Sequence, residues 1–363
     1  MSLPDGTALG ERLAAGDLSA APAVLNLVEN RTPAARPQIA ALLRRLSPAA
    51  LGREATGHIV GVTGPPGAGK STLVNELARH QRAAGRTVGI LAVDPSSPFT
   101  GGALLGDRIR MEERTNDAGG YIRSRASRGS HGGLARAAVD ACDAMDVFGI
   151  DEVLLETVGV GQAEYDIVAA TDTVLVVLCP GAGDGVQAMK AGILEVADVL
   201  VVNKADLAGA DRLVSDLEEA VHIRAHTKQR PEGAWTVPVV AVSAGKGEGL
   251  DRLSERIAEH RRWLETGAAP AEVCARDAAT ARPEPSTAPV FPGRLAAVRR
   301  EKRLAHVRRV VHERLDEALW TGGGLSDRAR ALLDAGRAPY DVVEALVAAI
   351  VAGEVLPRGA NHP

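Results

Sequence analysis

The sequence is poor in aromatic residues and in cysteine. Phe, Trp and Tyr together make up 2% of its 363 residues, and three cysteines are present, Cys142, Cys179 and Cys274. The cysteines lie far apart and form no C-x-x-C pair, which argues against a disulfide framework and against a zinc knuckle. Alanine is abundant instead, and because it favours helix in any context, composition alone is a weak guide to the helices.

Long apolar runs and a strong charge imbalance are also missing. No run approaches the ~20 residues of a membrane-spanning helix, and the N-terminus lacks the basic stretch and apolar core of a signal peptide. We therefore expect a cytoplasmic protein with no membrane partner. The formal net charge of −4 suggests no nucleic-acid partner. The basic segment 294–314 has no interleaved aromatic residues, so we interpret it as a solvated helix face.

Short apolar runs alternate with helical segments through the middle of the chain. Because these runs are apolar throughout, they predict an α/β fold with a mainly parallel sheet covered by helices on both faces. The predicted strands are 58–63, 87–93, 152–156, 173–178, 198–202 and 237–242. The helical candidates between them lie near 70–83, 133–147, 186–196, 209–224 and 249–264.

Four parts are predicted along the chain. An N-terminal helical extension covers 1–56, the α/β domain covers 57–265, and an Ala- and Pro-rich linker or mobile loop covers 266–293. A C-terminal helical segment covers 294–363. A long amphipathic helix in it is marked by Leu304, Val307, Val311, Leu315 and Leu319, and further helices are expected from Ser326 and from Tyr340.

A phosphate-binding motif follows the first predicted strand and opens a predicted helix. It consists of Gly64, Pro65, Pro66, Gly67, Ala68, Gly69, Lys70, Ser71 and Thr72. This is the G-x-x-x-x-G-K-S pattern in the strand–helix context that supports it. The glycines let backbone amides surround phosphates, and the helix N-terminus adds a favourable dipole. Lys70 is predicted to reach the β- and γ-phosphates, and the Ser71 hydroxyl is predicted to ligate Mg²⁺.

Two later loops indicate guanine as the base. In the stretch VVNKAD, Asp206 can accept hydrogen bonds from guanine N1 and N2, a donor pair that adenine lacks. Asn203 can brace this loop, and the stem of Lys204 can lie along the ring. After the next strand come Ser243 and Ala244, where the Ala244 backbone can meet guanine O6. The order of these loops after the phosphate loop favours GTP over ATP.

Three carboxylates are candidates for binding Mg²⁺ or for positioning the attacking water: Asp94, Asp107 and Glu156. Asp94 and Glu156 each end a predicted strand, and Asp107 opens the next helix. Glu156 begins E-x-x-G where many GTPases have D-x-x-G, and its extra methylene suits contact with Mg²⁺ through a water. Gly159 can let this loop move when the γ-phosphate leaves. Because no glutamine directly follows Gly159, we expect slow hydrolysis that a partner accelerates.

Four stretches together resemble the MeaB/ArgK family, the methylmalonyl-CoA mutase-associated GTPases. They are TGPPGAGKSTL, VDPSSPFTGGALLGDRIRM, ETVGVGQAE and GDGVQAMKAGILEVADVLVVNKAD, in this order within residues 58–264. The resemblance implies a SIMIBI-class P-loop GTPase with a C-terminal helical arm, 294–363, that forms a homodimer. It also implies a chaperone for an adenosylcobalamin-dependent acyl-CoA mutase, which gates cofactor loading and protects or reactivates the mutase.

The resemblance further assigns residues to three switches. Asp94 and Asp107 belong to the first, and Glu156 with Gly159 to the second. A third switch, facing the mutase, runs from Gly181 to Lys190 and includes Asp184 and Gln187, with Lys190 tying it to a carboxylate near the nucleotide. No D-x-H-x-x-G cobalamin-binding segment is present, so cobalamin is expected in the partner. Two features depart from the family pattern: His131 and the stretch 266–293.

Three other functions remain open at this point. A nickel-type metallochaperone GTPase of the same broad class would need a Cys/His cluster near the switches. A transport-associated ATPase or kinase would not need the guanine loops. A non-enzymatic scaffold would not need the phosphate and metal motifs.

Overall fold

A computed structural model of the chain describes residues 3–30, 32–52, 56–95, 120–127, 132–157, 170–181, 195–227, 233–267, 294–322 and 324–354. The chain divides into two compact units, one up to Lys302 and one from Arg303 onwards. The nucleotide-site motifs all belong to the first unit.

Seven parallel strands form the centre of the first unit. They are β1 (His58–Thr63), β2 (Val88–Pro95), β3 (Gly120–Ser127), β4 (Glu152–Thr157), β5 (Thr173–Leu178), β6 (Val199–Asn203) and β7 (Val239–Val242). Their order across the sheet is β3-β2-β4-β1-β5-β6-β7, and the pairings between them are parallel. β1, β5 and β6 are buried along their whole length, as apolar strands covered on both faces should be. The predicted α/β fold with a parallel sheet is confirmed.

The sequence does not predict β3, which pairs with β2 along its whole length. Its sequence, GYIRSRAS, is neither an apolar run nor a regular alternation, so neither strand pattern marks it. In the described part of the chain it forms one edge of the sheet.

Two helices, α5 (Lys70–Ala83) and α8 (Leu250–Thr266), cover one face of the sheet. Leu73 and Leu77 of α5 and Leu253 and Ile257 of α8 share one buried cluster with the strands. The predicted helix at 70–83 has these bounds in the structure.

The other face is covered by α1 (Gly6–Ala14), α2 (Ala21–Val28), α3 (Arg36–Leu46), α6 (Gly132–Val147) and α7 (Ala210–Thr227). The short helix α4 (Pro48–Leu51) packs on α3. Leu25, Leu42, Met145 and Leu217 belong to the same buried cluster as the strand residue Leu155. The N-terminal helices therefore share a hydrophobic core with the sheet.

The described residues after 293 form three helices, α9 (Arg294–Asp316), α10 (Leu325–Asp334) and α11 (Pro339–Val351), with a π-helical turn at Glu317–Gly322. Leu319, Leu325, Val342, Leu346 and Ala349 form the core of the second unit. The predicted helix at 186–196 and linker at 266–293 fall mostly outside the described residues. Across the described ranges, no helix combines the length and apolarity needed to cross a bilayer.

Because the strands are parallel, their carboxyl ends meet at one edge of the sheet. β1 lies between β4 and β5, so the chain runs to both sides of it. Open α/β sheets bind ligands at the carboxyl edge where the strand order reverses in this way. The loops that follow β1, β6 and β7 carry predicted motifs, and the fold brings them together at this edge with Glu156 near the end of β4.

Candidate nucleotide-binding site

The phosphate-binding motif forms a tight loop between β1 and α5. Gly64, Gly67 and Gly69 have φ values of 140°, 76° and 85°, which side-chain-bearing residues rarely adopt. A Cβ on Gly64 would lie 2.1 Å from the carbonyl oxygen of Val177 in β5, and one on Gly69 would lie 2.5 Å from the side-chain nitrogen Nδ2 of Asn203. The loop is therefore packed directly on its neighbours, and glycine is required at both positions.

Lys70, the first residue of α5, covers this loop. Its Nζ donates hydrogen bonds to the carbonyl oxygens of Gly64 at 2.8 Å and Pro65 at 2.9 Å, and its side chain is buried. The ammonium group thus lies beside the amino end of a helix, where backbone amides already carry partial positive charge. This concentration of positive charge suits a phosphate.

Ser71 and Glu156 meet at the edge of the sheet although 85 residues separate them. The Ser71 hydroxyl donates to Glu156 Oε1 at 2.6 Å, and Glu156 is buried near the end of β4. Hydroxyl and carboxylate oxygens are the ligands that Mg²⁺ prefers. In the part of the chain that the structure describes, no three His, Cys, Asp or Glu side chains could hold a metal together. The pair therefore fits a Mg²⁺ ion that takes its other ligands from phosphates and water.

Asn203 joins the phosphate loop to both base loops. Its Nδ2 donates to the carbonyl oxygen of Ala68 at 2.9 Å, and its Oδ1 accepts from the amide of Ala244 at 3.2 Å. The next residue, Lys204, has a positive φ of 56°, and its Nζ donates to the carbonyl oxygen of Gly67 at 2.8 Å. Three loops that are distant in sequence are thus held in one arrangement.

Asp206 is held from two sides. The Ser243 hydroxyl donates to Oδ1 at 2.7 Å, and Lys246 Nζ lies 3.4 Å from Oδ2. The Ser243 hydrogen bond is the main cause that lowers the pKa of Asp206 below its ordinary value. The carboxylate is therefore ionised near neutral pH and accepts hydrogen bonds without donating any, as recognition of guanine N1 and N2 requires.

A cavity of about 400 Å³ lies between these loops. It is lined by Gly69 and Thr72 of the phosphate loop and by residues of both base loops, including Asn203, Asp206 and Ala244. The cavity therefore runs from the phosphate loop to the carboxylate that can read the base.

Several predicted residues cannot be placed. Asp107, Gly159, Asp184, Gln187, Lys190 and His131 lie outside the described residues. Asp94 lies near the end of β2, at the same edge of the sheet as Glu156. Gly181 lies in the turn after β5, with a φ of 86°. The structure thus brings together the phosphate loop, both base loops and Glu156.

Two residues near the site are not predicted from the sequence. Lys246 pairs with Asp206 across the base loops, and Cys179 Sγ lies 3.9 Å from the carbonyl oxygen of Gly67. Lys246 follows Ala244 by two residues, so the sequence alone could have placed it in the second base loop. No sequence pattern links Cys179 to the phosphate loop, since only the pairing of β1 with β5 brings them together.

Comparisons with known proteins agree with this geometry. The family model described as methylmalonyl Co-A mutase-associated GTPase MeaB matches residues 21–283. A Pyrococcus abyssi protein named as a GTPase is 48% identical over 255 residues, 70% of this chain and 76% of that protein. A Mus musculus protein named methylmalonic aciduria type A homolog, mitochondrial, is 36% identical over 208 residues, 56% of this chain and 49% of that protein.

Among solved structures, the chain is similar to a crystal structure of a LAO/AO transport system kinase. The TM-score is 0.64 at 23% identity, and the match covers 96% of this chain and 99% of that chain. At this identity the likeness concerns the fold alone.

Proposed function

Because the chain belongs to the MeaB family of methylmalonyl-CoA mutase-associated GTPases, we propose that it is a GTP-hydrolysing chaperone for an adenosylcobalamin-dependent acyl-CoA mutase. In this role it gates the loading of cofactor and protects or reactivates the mutase. The observation that carries the proposal is the family match over residues 21–283, which includes every loop of the nucleotide site. The relative named for methylmalonic aciduria type A supports the same class of partner.

The proposed chemistry begins with the phosphates. The backbone amides of the phosphate loop and Lys70 Nζ bind the β- and γ-phosphates and balance their charge. Bound Mg²⁺ would withdraw further negative charge from these phosphates. Ser71 and Glu156 would hold the ion or its water ligands, together with Asp94 and Asp107 from the first switch.

The base loops restrict the substrate to guanine nucleotides. The ionised Asp206 accepts from guanine N1 and N2. The Ala244 amide, whose one hydrogen is donated to Asn203 Oδ1 in this structure, would have to turn to guanine O6 or share that hydrogen with it. Adenine offers a carboxylate no such donor pair, so a transport-associated ATPase or kinase is disfavoured. GTP bound at least tenfold more tightly than ATP would support this choice, and equal affinities would contradict it.

Hydrolysis is proposed to be slow alone and faster with the mutase. The third switch, Gly181 to Lys190, would contact the mutase and pass its state to Glu156 and Gly159. The proposed domains are a GTPase domain at 57–265 and a dimerisation arm at 294–363.

The exposed stripe of α9 supports the homodimer. Leu304, Val307, Val311 and Leu315 are 41%, 55%, 47% and 48% exposed and recur at helical spacing. A second copy of the arm would cover these side chains and remove their apolar surface from water.

The decisive experiment measures GTP hydrolysis with and without purified cobalamin mutases of the methylmalonyl, isobutyryl, ethylmalonyl and 2-hydroxyisobutyryl types. We expect one of them to raise the rate at least tenfold, and Lys70→Ala to abolish both the basal and the stimulated rate. A rate unchanged by every mutase would reject the chaperone proposal and leave the GTPase assignment standing.

A further inference from the structure

A second polar cluster lies at the opposite edge of the sheet, where the parallel strands begin. Its centre is Asp172, which is buried directly before β5. Arg299 of α9 binds both carboxylate oxygens: Nε donates to Oδ1 at 3.1 Å and Nη2 donates to Oδ2 at 2.6 Å. Burial alone would raise the pKa of Asp172, but the hydrogen bonds and charge of Arg299 outweigh it and lower the pKa to about 2. The cluster therefore contains a buried, ionised, bidentate pair.

The same guanidinium also binds the start of β1. Arg299 Nη2 donates to the carbonyl oxygen of Gly57 at 2.6 Å, and the Gly57 amide donates to the Asp146 carboxylate of α6. Asp172 Oδ2 accepts from the Ile59 amide in β1 at 3.1 Å. One side chain of α9 thus joins Gly57 and Asp172, the residues directly before the two central strands.

These two strands meet again beneath the phosphate loop. β1 pairs with β5 in parallel, and Gly64, the residue after β1, packs on β5 so closely that a Cβ would lie 2.1 Å from Val177 O. Close-packed elements shift as units because the interior has few voids to absorb a local change. A displacement of β1 against β5 near Arg299 would therefore also change the packing of Gly64 on β5.

Buried hydrogen bonds extend the cluster to α8. Thr173 Oγ1 lies 2.7 Å from His58 Nε2 and 2.8 Å from His260 Nδ1. Burial lowers the pKa of His58 to about 3 and of His260 to about 4, so both imidazoles are neutral near pH 7. The amino ends of β1 and β5 are thereby tied to α8 as well as to α9.

Two tryptophans complete the cluster around His260. The ring centroids of Trp235 and Trp263 lie 4.8 Å and 5.5 Å from that of His260. Arg294, the first residue of α9, lies over the Trp263 ring with its guanidinium carbon 4.1 Å from the centroid. The first turns of α9 are thus held at Arg294 and again at Arg299.

Stability alone does not explain an ion pair in this place. Desolvating two charges is costly, and apolar residues of similar volume often serve as well or better. The pair also defines a position, because a guanidinium that donates two parallel hydrogen bonds holds the carboxylate in a defined orientation. Arg299 therefore fixes where the first turns of α9, residues 294–302, lie on the ends of β1 and β5.

We propose that the Arg299–Asp172 pair couples the placement of the first turns of α9, residues 294–302, to guanine-nucleotide binding at the phosphate loop. Arg299 is a positioning residue, acting on Gly64 through β1 and β5. Nucleotide that fixes the loop against β5 also favours the strand register that Arg299 binds. By linkage, loosening α9 weakens nucleotide binding by the same factor.

Hydrogen exchange of the α9 amides at residues 298–302, with and without saturating GDP, tests this coupling. The variant is Asp172→Asn/Arg299→Met, which removes both charges of the bidentate pair together. Lys302 Nζ, which lies 4.0 Å from Asp172 Oδ1, also loses this carboxylate, so the folded stability of the variant is measured first. The matched control is Arg300→Met, on the exposed side of the same turn. GDP is expected to slow exchange about fivefold or more in the natural protein and the control, and to have no effect in the double variant.

A second readout is the release rate of a fluorescent GDP analogue, which should rise about fivefold in the double variant. The proposal is overturned if GDP slows exchange at residues 298–302 as much in the double variant as in the natural protein. It is also overturned if GDP does not slow this exchange in the natural protein. If the double variant does not fold, Arg299→Lys keeps the charge but loses the bidentate contact, and unchanged protection in it also overturns the proposal. The test needs GDP binding and no mutase, so its outcome is independent of the chaperone proposal.

Discussion

Asp206 is the residue on which the choice of nucleotide most directly depends. Asp206→Asn replaces one acceptor oxygen with a donor that faces the guanine donors. We expect GTP affinity to fall at least 100-fold, since hydrogen bonds to a charged group contribute about 1.5–3 kcal/mol each. Xanthosine triphosphate, which carries an acceptor at position 2, should gain affinity over GTP.

Competition binding with both nucleotides measures this change, and Asp211→Asn, exposed at the start of α7, is the control. An Asp206→Asn protein that still prefers GTP to the xanthine nucleotide would contradict the assigned base contact.

Glu152, buried at the start of β4, makes stability depend on pH. Burial raises its pKa to about 7, although Arg86 Nη1 lies 3.3 Å from its carboxylate. The folded state therefore holds a proton between pH 4.5 and 7 that the unfolded state releases. The stability from this group is full below pH 4.5 and is lost as pH rises through 7.

The effect of Glu152→Gln on the free energy of unfolding should thus depend on pH. Relative to the natural protein, the variant should be more stable at pH 8 than at pH 4.5 by up to about 3 kcal/mol. Urea unfolding at the two pH values measures the difference, with the exposed Glu248→Gln as the control. A Glu152→Gln effect of equal size at both pH values would mean that the folded carboxyl titrates normally.

The phosphate loop, as an element, depends on glycine in two different ways. Gly64 and Gly67 both have positive φ, but only at Gly64 does backbone occupy the place of a Cβ. Gly67→Ala should therefore cost about 1–2 kcal/mol of conformational strain and leave nucleotide binding measurable. Gly64→Ala should abolish GDP binding, because the loop would have to leave β5.

Thermal unfolding and binding of a fluorescent GDP analogue compare the two variants. Equal losses of binding would show that strain in φ, and not contact with Val177, controls the loop.

Apolar strands and consecutive motifs are the parts of the fold that the sequence predicts well. Local patterns predict the bounds of α5, β1 and β5, and those of the other four apolar strands to within two residues. The phosphate loop, Asn203 and Asp206 are identified from spacing. β3 is missed because its polar edge sequence carries neither pattern.

The cluster at the amino edge is missed for a different reason. His58, Asp172, His260 and Arg299 stand in four separate segments, and no short motif contains two of them. Only the parallel pairing of β1 with β5, and the docking of α8 and α9 on their ends, brings these side chains together. Such a cluster becomes visible only with the tertiary structure.

On the scale of the whole molecule, the exposed apolar stripe of α9 predicts a homodimer that a charged substitution should disrupt. Val311→Glu places a charge in the exposed apolar stripe of α9 and should convert a dimer into a monomer at micromolar concentration. His312→Glu, one residue along and also exposed, should leave the dimer intact. Light scattering coupled to size-exclusion chromatography measures both masses, and a dimeric Val311→Glu protein would place the dimer interface elsewhere.

The scarcity of aromatic residues gives the molecule an optical reporter. Its three tryptophans are Trp235 and Trp263, which flank His260 in the first unit, and Trp320 in the second. Replacing Trp320 with Phe would leave fluorescence from the amino edge of the sheet alone, beside the Arg294 and Arg299 contacts of α9. Protonated imidazole quenches a neighbouring indole, so this emission should fall as the pH approaches 4, where His260 is protonated, without any attached dye.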